Sequence, residues 1–251
     1  MPRFFVQEEQ IRDGIVTLSG EDAHHISRSL RMAAGEKITV CDPQGTAYEC
    51  ELTGFFPDIV TATVKTACRD EAEPPYRVTV YQALPKGDKL DQVIQKAVEC
   101  GAAGLVPFES SRCVVRAKAE TEEKKRERRQ KISLEAAKQC GRGMVPQVGL
   151  TISFRDALRD AVQADIPLFC YEGEKTVSLA AALSERLKTV PPERAPLTLS
   201  LMVGSEGGFS PEEAEEAVRA GMIPVGLGKR ILRTETAASF ALSCFVYALE
   251  M

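Results

Sequence analysis

LTLSLMVGSEGGFSPEEAEEAVRAGMIPVGLGKRILRTETAASFALSC, residues 197–244, contains one kind of chain reversal twice. An apolar run, Leu197 to Val203, enters the glycine loop Gly204-Ser205-Glu206-Gly207-Gly208 and then a helix with a well-marked start. Ser210 can cap it, Pro211 suits the first turn because its missing N–H has no partner there, and Glu213 holds the capping-box position. The helix runs from Glu212 to Ala220 and Gly221 stops it. A second apolar run, Met222 to Leu227, enters the polar loop Gly228-Lys229-Arg230-Ile231-Leu232-Arg233, after which Thr234 and Glu235 open a long apolar helix, Thr236 to Leu249. Ligands of open α/β sheets sit beyond the carboxyl ends of the strands, where loops expose backbone N–H groups. Two such loops, close in sequence, predict one pocket.

Upstream, the alternation of strand and helix continues. Arg77 to Leu84, Leu105 to Phe108 and Ile166 to Tyr171 read as strands, with helices at Asp88 to Cys100, Ala119 to Cys140, Phe154 to Val162 and Ser178 to Leu187. A proline-rich loop (Pro191, Pro192, Pro196) leads into the opening stretch. Residues 1 to about 70 differ: they read as short strands (Arg3 to Val6, Gly14 to Leu18, Lys37 to Cys41, Ala47 to Thr53, Ile59 to Cys68) with clear turns such as Asp42-Pro43-Gln44-Gly45. One helix, Glu21 to Met32, interrupts them. The charged, proline-ended segment Arg69 to Pro75 marks a linker, so the expected domains are 1–72, a small β-barrel or sandwich, and 73–251, an α/β domain.

Composition narrows the function classes. A net charge of −4 over 251 residues argues against a general polyanion binder, although not against local basic patches. No run approaches a membrane span, and the start, MPRFFVQEEQ, lacks the apolar core of a signal peptide, so a cytoplasmic protein is expected. The eight cysteines stand singly, with no CxxC pair, and predict buried free thiols and no metal site.

Several constellations carry chemistry. GSEGGF lacks the lysine and hydroxyl of a P-loop and the spacing of a dinucleotide loop; tight turns alone account for such glycines about as well as a ligand does. Glu206 beside a helix start either stabilises the helix dipole or meets a ligand hydroxyl. The second loop crowds Lys229, Arg230 and Arg233 next to a helix start, where cations oppose the dipole, and that local cost favours a functional role. From Arg112 to Arg142 eleven basic residues face five acidic ones. A solvated helix face and a nucleic-acid contact are equally good readings of that excess. In the amino-terminal region His24, Arg28 and Arg31 share one face of the expected helix, which is either polar surface or a phosphate-contacting face.

Taken together, HHISRSLRM (24–32), KGDKLDQVIQKAVECGAAGLVPFESSRCVV (86–115), RRQKISLEAAKQCGRGMVPQV (128–148), MVGSEGGFSPEE (202–213) and LGKRILRTETAASFAL (227–242) resemble the RsmE family of methyltransferases, which act on N3 of a uridine in small-subunit (16S) ribosomal RNA. Ser205 stands where the family usually has proline. The resemblance implies an α/β fold made of a SPOUT-type, trefoil-knotted methyltransferase domain behind a small PUA-like RNA-binding β-barrel. It also implies a homodimer and S-adenosylmethionine as cofactor.

Carried over residue by residue, the resemblance places the cofactor against three loops. These are Leu168, Tyr171 and Glu172; then Val203, Gly204, Ser205, Glu206, Gly207 and Gly208; then Leu227, Gly228, Ile231, Leu232, Arg233, Thr234 and Thr236. Arg233 would stabilise the uridine anion, with Glu235 or Glu206 as proton acceptor or orienting partner. His25, Arg28 and Arg31, and in the larger domain Arg112, Arg116, Arg129 and Arg142, would hold RNA. The rival readings are a non-catalytic RNA-binding ribosome-assembly protein and, more weakly, a nucleotide-dependent small-molecule enzyme.

Overall fold

Contacts in the computed structural model, which describes residues 1–173, 176–191 and 196–251, divide the chain into two units. Of the proline-rich loop, Pro192 lies outside the described residues. The first unit comprises Met1–Glu73 together with Ala137–Val145. Its six strands are β1 (Arg3–Phe5), β2 (Ile11–Arg12), β3 (Ile15–Ser19), β4 (Lys37–Cys41), β5 (Thr46–Phe55) and β6 (Ile59–Arg69), and they form one sheet in the order β1-β4-β5-β6-β3-β2. Asp42 makes the β4–β5 turn: its Oδ1 accepts from the N–H groups of Gln44 and Thr46, both at 2.9 Å, and Gly45 supplies a φ of +83°. Phe4, Leu18, Ile26, Ile38 and Leu52 fill the core.

Two features of this unit depart from the linear reading. The helix expected over Glu21 to Met32 is an α-turn, α1 (Glu21–His24), followed by a wider π-type turn over His25–Ser29 in which Leu30 N–H donates to the His25 carbonyl. Arg31 then takes a left-handed φ of +53°, so His24, Arg28 and Arg31 do not share a helical face. The second feature is the return of Ala137–Val145. Arg142 makes two bonds to Glu73, at 2.9 and 2.8 Å, and Glu73 Oε1 also accepts from the N–H groups of Gly143 and Met144. Lys138 reaches Asp22 at 3.0 Å.

The second unit comprises Pro74–Ala136 and Pro146–Met251. Its elements are β7 (Tyr76–Ala83), α2 (Lys89–Glu99), β8 (Gly104–Glu109), α3 (Ala119–Cys140, whose last turn belongs to the first unit), β9 (Gln147–Val148), β10 (Ile152–Ser153), α4 (Phe154–Ala161), β11 (Ile166–Cys170), β12 (Val177–Ser178), α5 (Leu179–Leu187), β13 (Leu197–Val203), α6 (Pro211–Ala220), β14 (Ile223–Gly226) and α7 (Thr234–Leu249). The sheet runs β10-β8-β7-β13-β11-β14-β12, with β9 beside β8, and its pairings are parallel.

Helices cover such a sheet, so its central strands bury both faces; β13 is buried from Leu199 to Val203. In α2 the buried residues Leu90, Val93, Ile94, Ala97 and Val98 recur at helical spacing and form one apolar stripe. Among the described residues no helix is long and apolar enough to cross a membrane, and no cluster of three or more His, Cys, Asp or Glu residues could hold a metal ion. The eight cysteines are free thiols, but contrary to expectation only Cys41, Cys50 and Cys113 are fully buried, and Cys68 is exposed.

Candidate active site

Because β11, β13 and β14 are neighbours and parallel, their carboxyl ends deliver three loops to the same edge of the sheet. These loops wall a cavity of about 720 Å³. Cys170, Tyr171 and Glu172 come from the end of β11, Val203 to Phe209 from the end of β13, and Leu227, Gly228 and Arg230 to Thr234 from the end of β14.

The first glycine loop closes tightly. Gly208 N–H donates to the Ser205 carbonyl at 2.9 Å, and Gly208 adopts a φ of +64°. A Cβ on Gly204 would stand 3.1 Å from Gly208 Cα, so the two arms of the loop would have to give by a few tenths of an ångström to admit one. Helix α6 follows with the capping box in place: Ser210 Oγ accepts from Glu213 N–H and Glu213 accepts from Ser210 N–H. Glu213 also accepts from Ser111 N–H at 2.6 Å and from Ser111 Oγ at 2.9 Å, fastening this loop to the segment after β8.

The second loop turns at Gly228, φ +110°, and ends at Arg233, which occupies the cap position of α7. Deep in the wall the two loops are joined. Thr234 Oγ donates to the Gly204 carbonyl at 2.6 Å, and the fully buried Gln82 on β7 donates to both Thr234 Oγ and the Gly204 carbonyl, at 2.9 and 3.3 Å. At the cavity surface Lys89 Nζ donates to Glu206 Oε1 at 2.9 Å and stands 3.6 Å from Glu235 Oε2. Burial works against the charged form of Glu206, but hydrogen bonds from Lys89 and from the Lys86 N–H outweigh it and hold the carboxyl below its ordinary value. The bond to Glu206 correspondingly raises the Lys89 ammonium. Burial pushes the Cys170 thiol up to about 12, so it is a neutral wall group.

Most of the residues expected at a cofactor site meet in this cavity. Leu168 and Thr236 do not line it: Leu168 is fully buried in β11, one turn of the pleat too early, and Thr236 is exposed on α7. Of the expected catalytic residues Arg233 and Glu206 line the cavity, whereas Glu235 stands behind Lys89. The linear reading missed Lys89 as a wall residue. Lys89 carried the same signal as the second loop, a cation at a helix start, since it is the first residue of α2.

The basic residues expected to touch RNA separate into two groups. His25 and Arg28 line a shallow concavity in the first unit with Glu21, His24 and Ser29, while Arg31 is exposed beyond it. Arg116 is half exposed, and Arg112 lines the cavity and donates to the Gly207 carbonyl at 3.1 Å. Arg129 and Arg142 differ: their side chains are 8% and 5% exposed and are ion-paired with Glu122 and Glu73, so their charge is spent inside the fold.

The chain matches the RNA methyltransferase domain family over residues 72–246 and the RNA methyltransferase PUA domain family over residues 18–55. It is 35% identical to ribosomal RNA small subunit methyltransferase E of Bacillus subtilis, covering 100% of this chain and 98% of that protein. The corresponding Synechocystis protein is 31% identical, with 99% and 78% covered. Among solved structures, a ribosomal RNA small subunit methyltransferase E from Neisseria gonorrhoeae, bound to S-adenosyl methionine, superposes with a TM-score of 0.83 at 31% identity over 99% of this chain and 98% of that one. The chain belongs to the ribosomal RNA small subunit methyltransferase E (RsmE) family of RNA methyltransferases.

Proposed function

We propose that the protein transfers a methyl group from S-adenosylmethionine to N3 of a uridine in small-subunit (16S) ribosomal RNA. The observation that carries this reading is the convergence of the three strand-end loops on one cavity, in a chain whose relatives are named for this class of reaction and one of which holds S-adenosyl methionine. The walls suit such a ligand. Val203, Phe209, Leu227 and Leu232 offer apolar surface to a flat base and ribose, and Ser205 Oγ is a buried hydroxyl with no hydrogen-bond partner among the described residues. S-adenosylmethionine supplies a methyl group on a sulfonium that is already a good leaving group. The protein's part is orientation and electrostatics.

Uridine N3 carries a proton at neutral pH and must lose it before its lone pair can attack. Arg233, on the cavity wall at the start of α7, is placed to stabilise the anion on the ring oxygens; Glu206 and Glu235 serve as proton acceptor or orienting partners. The exposed residues His25, Arg28 and Arg31 in the first unit, and Arg112 and Arg116 in the second, are the RNA contacts of this reading.

The fold reading is a PUA-like barrel for the first unit and a SPOUT-type trefoil knot for the second. It is supported by a sheet in which the last strand in sequence, β14, lies between β11 and β12 rather than at an edge. Homodimer assembly is supported by Phe240 and Tyr247, 39% and 76% exposed and seven residues apart on α7.

The test is incubation of the protein with methyl-labelled S-adenosylmethionine and unmethylated small subunits or their RNA, followed by digestion to nucleosides. The expected product is labelled 3-methyluridine. Retention of RNA without label would favour the assembly-protein reading, and label in another nucleoside would refute the stated position.

A further inference from the structure

Lys89 opens α2, where an ammonium meets the positive end of the helix dipole. A cation placed there needs compensation, and two carboxylates supply it. Glu206 comes from the loop after β13 and Glu235 from the first turn of α7. Neither carboxylate is free. Glu206 Oε1 accepts from Lys89 at 2.9 Å and from Lys86 N–H at 3.2 Å, while its Oε2 lies 3.4 Å from the same N–H. Glu235 Oε2 is buried, accepts no hydrogen bond among the described residues, and has the Lys89 ammonium at 3.6 Å.

We propose that Lys89 is a positioning residue of the methyl-donor site, an ammonium bridge that holds the two donor-binding loops at one spacing. The proposal rests on S-adenosylmethionine being the ligand of this cavity. It complements the deeper link, in which Gln82 and Thr234 join the same loops through the Gly204 carbonyl. It also gives Glu206 and Glu235 a role beyond the proton transfer, as the partners that orient Lys89. The other charged groups on the cavity wall are Arg112, Glu172, Arg230 and Arg233. None of the four forms an ion pair with Glu206 or Glu235 among the described residues, so Lys89 alone stands between the two carboxylates.

The test compares the full-length protein with Lys89→Met, Lys89→Arg, Glu235→Gln and the double variant Lys89→Met/Glu235→Gln. Binding of S-adenosylmethionine is measured by calorimetry between pH 5 and 8, and methyl transfer to RNA is measured in parallel. Lys89→Met should weaken donor binding by about tenfold or more, the scale of a lost charge-assisted bond. Its affinity should partly recover as the pH falls, because protonating one carboxylate relieves the repulsion that the ammonium no longer screens. Lys89→Arg should keep the bridge and the affinity, and the double variant should bind more tightly than Lys89→Met. Glu235→Gln, which removes the second carboxylate facing the ammonium, should also change donor affinity.

Wild-type donor affinity in Lys89→Met overturns the proposal. So does a weakened Lys89→Met whose affinity does not respond to pH or to the second substitution, and so does an unchanged donor affinity in Glu235→Gln. If the parent protein itself fails to bind S-adenosylmethionine, it is the functional reading that fails.

Discussion

Arg129→Met should destabilise the larger unit rather than loosen its grip on RNA. Arg129 Nη1 donates to Glu122 Oε1 at 2.8 Å and to Thr151 Oγ at 3.3 Å; the same carboxylate oxygen accepts from Thr151 N–H at 3.0 Å and from the Thr151 hydroxyl. Both side chains of the pair are less than a tenth exposed, at 8% and 9%. Removing the guanidinium strands a buried carboxylate, which costs about 3–5 kcal/mol. The Arg126–Glu123 pair on the same helix lies in solvent, which screens it, and this makes Arg126→Met the control.

The pH dependence has a definite sign. Burial disfavours the charged Glu122, but the bonds from Thr151 and Arg129 prevail and depress its folded value. Its stabilisation is therefore present above the unfolded glutamate value of about 4.3 and is lost as pH falls through the lower folded value. Urea titrations at pH 7 and pH 3 should show a large gap between wild type and Arg129→Met at the higher pH and a narrower one at the lower. Stability within about 1 kcal/mol of wild type at pH 7, together with a weaker and less salt-dependent affinity for RNA, would refute the structural assignment and return Arg129 to the RNA surface.

Three further outcomes follow from the site. Arg233→Ala should abolish methyl transfer while calorimetry still detects S-adenosylmethionine; transfer near the parent rate would remove Arg233 from the chemistry. Gly204→Ala must push a Cβ to 3.1 Å from Gly208 Cα, an overpacking of about 1–3 kcal/mol, and should weaken donor binding about tenfold or more with the fold retained by circular dichroism. Charge reversal at Arg28 and Arg31 should lower RNA affinity and reduce the slope of its logarithm against that of salt concentration by roughly two, one per phosphate contact; an unchanged slope would take the first unit out of RNA binding.

The local elements of the site could be read from the sequence because they depend on neighbours in the chain. Ser210, Pro211 and Glu213 form the cap their spacing announces, and Gly221 ends α6 in the left-handed conformation that favours glycine, at φ +108°. What stayed hidden was set by partners far along the chain. Lys89 and Glu206 are 117 residues apart and Arg142 and Glu73 are 69, so charge patterning could show an excess of cations but not which of them are neutralised internally. The turn after His25 was hidden for another reason. A π-type turn uses residue types that also suit an α-helix, and only its i to i+5 bond reveals that the apparent face of His24, Arg28 and Arg31 is broken.

The helix starts separate structural from reactive charge. Two helices that begin at the cavity carry a cation there, Lys89 at α2 and Arg233 at α7, and the dipole disfavours both. Lys89 is compensated by Glu206 from the loop after β13 and by Glu235 from the first turn of α7. The Arg233 side chain has no ion pair or hydrogen bond among the described residues. An uncompensated cation on a cavity wall is offset only when an anion arrives, and the charge that develops on a deprotonated uridine is such an anion. Of these two helix starts, the fold therefore keeps the cation of one occupied and that of the other available. On this logic Arg233→Ala should leave the protein at least as stable as wild type even as it removes the activity, the pattern expected of a residue retained for function at some cost to stability.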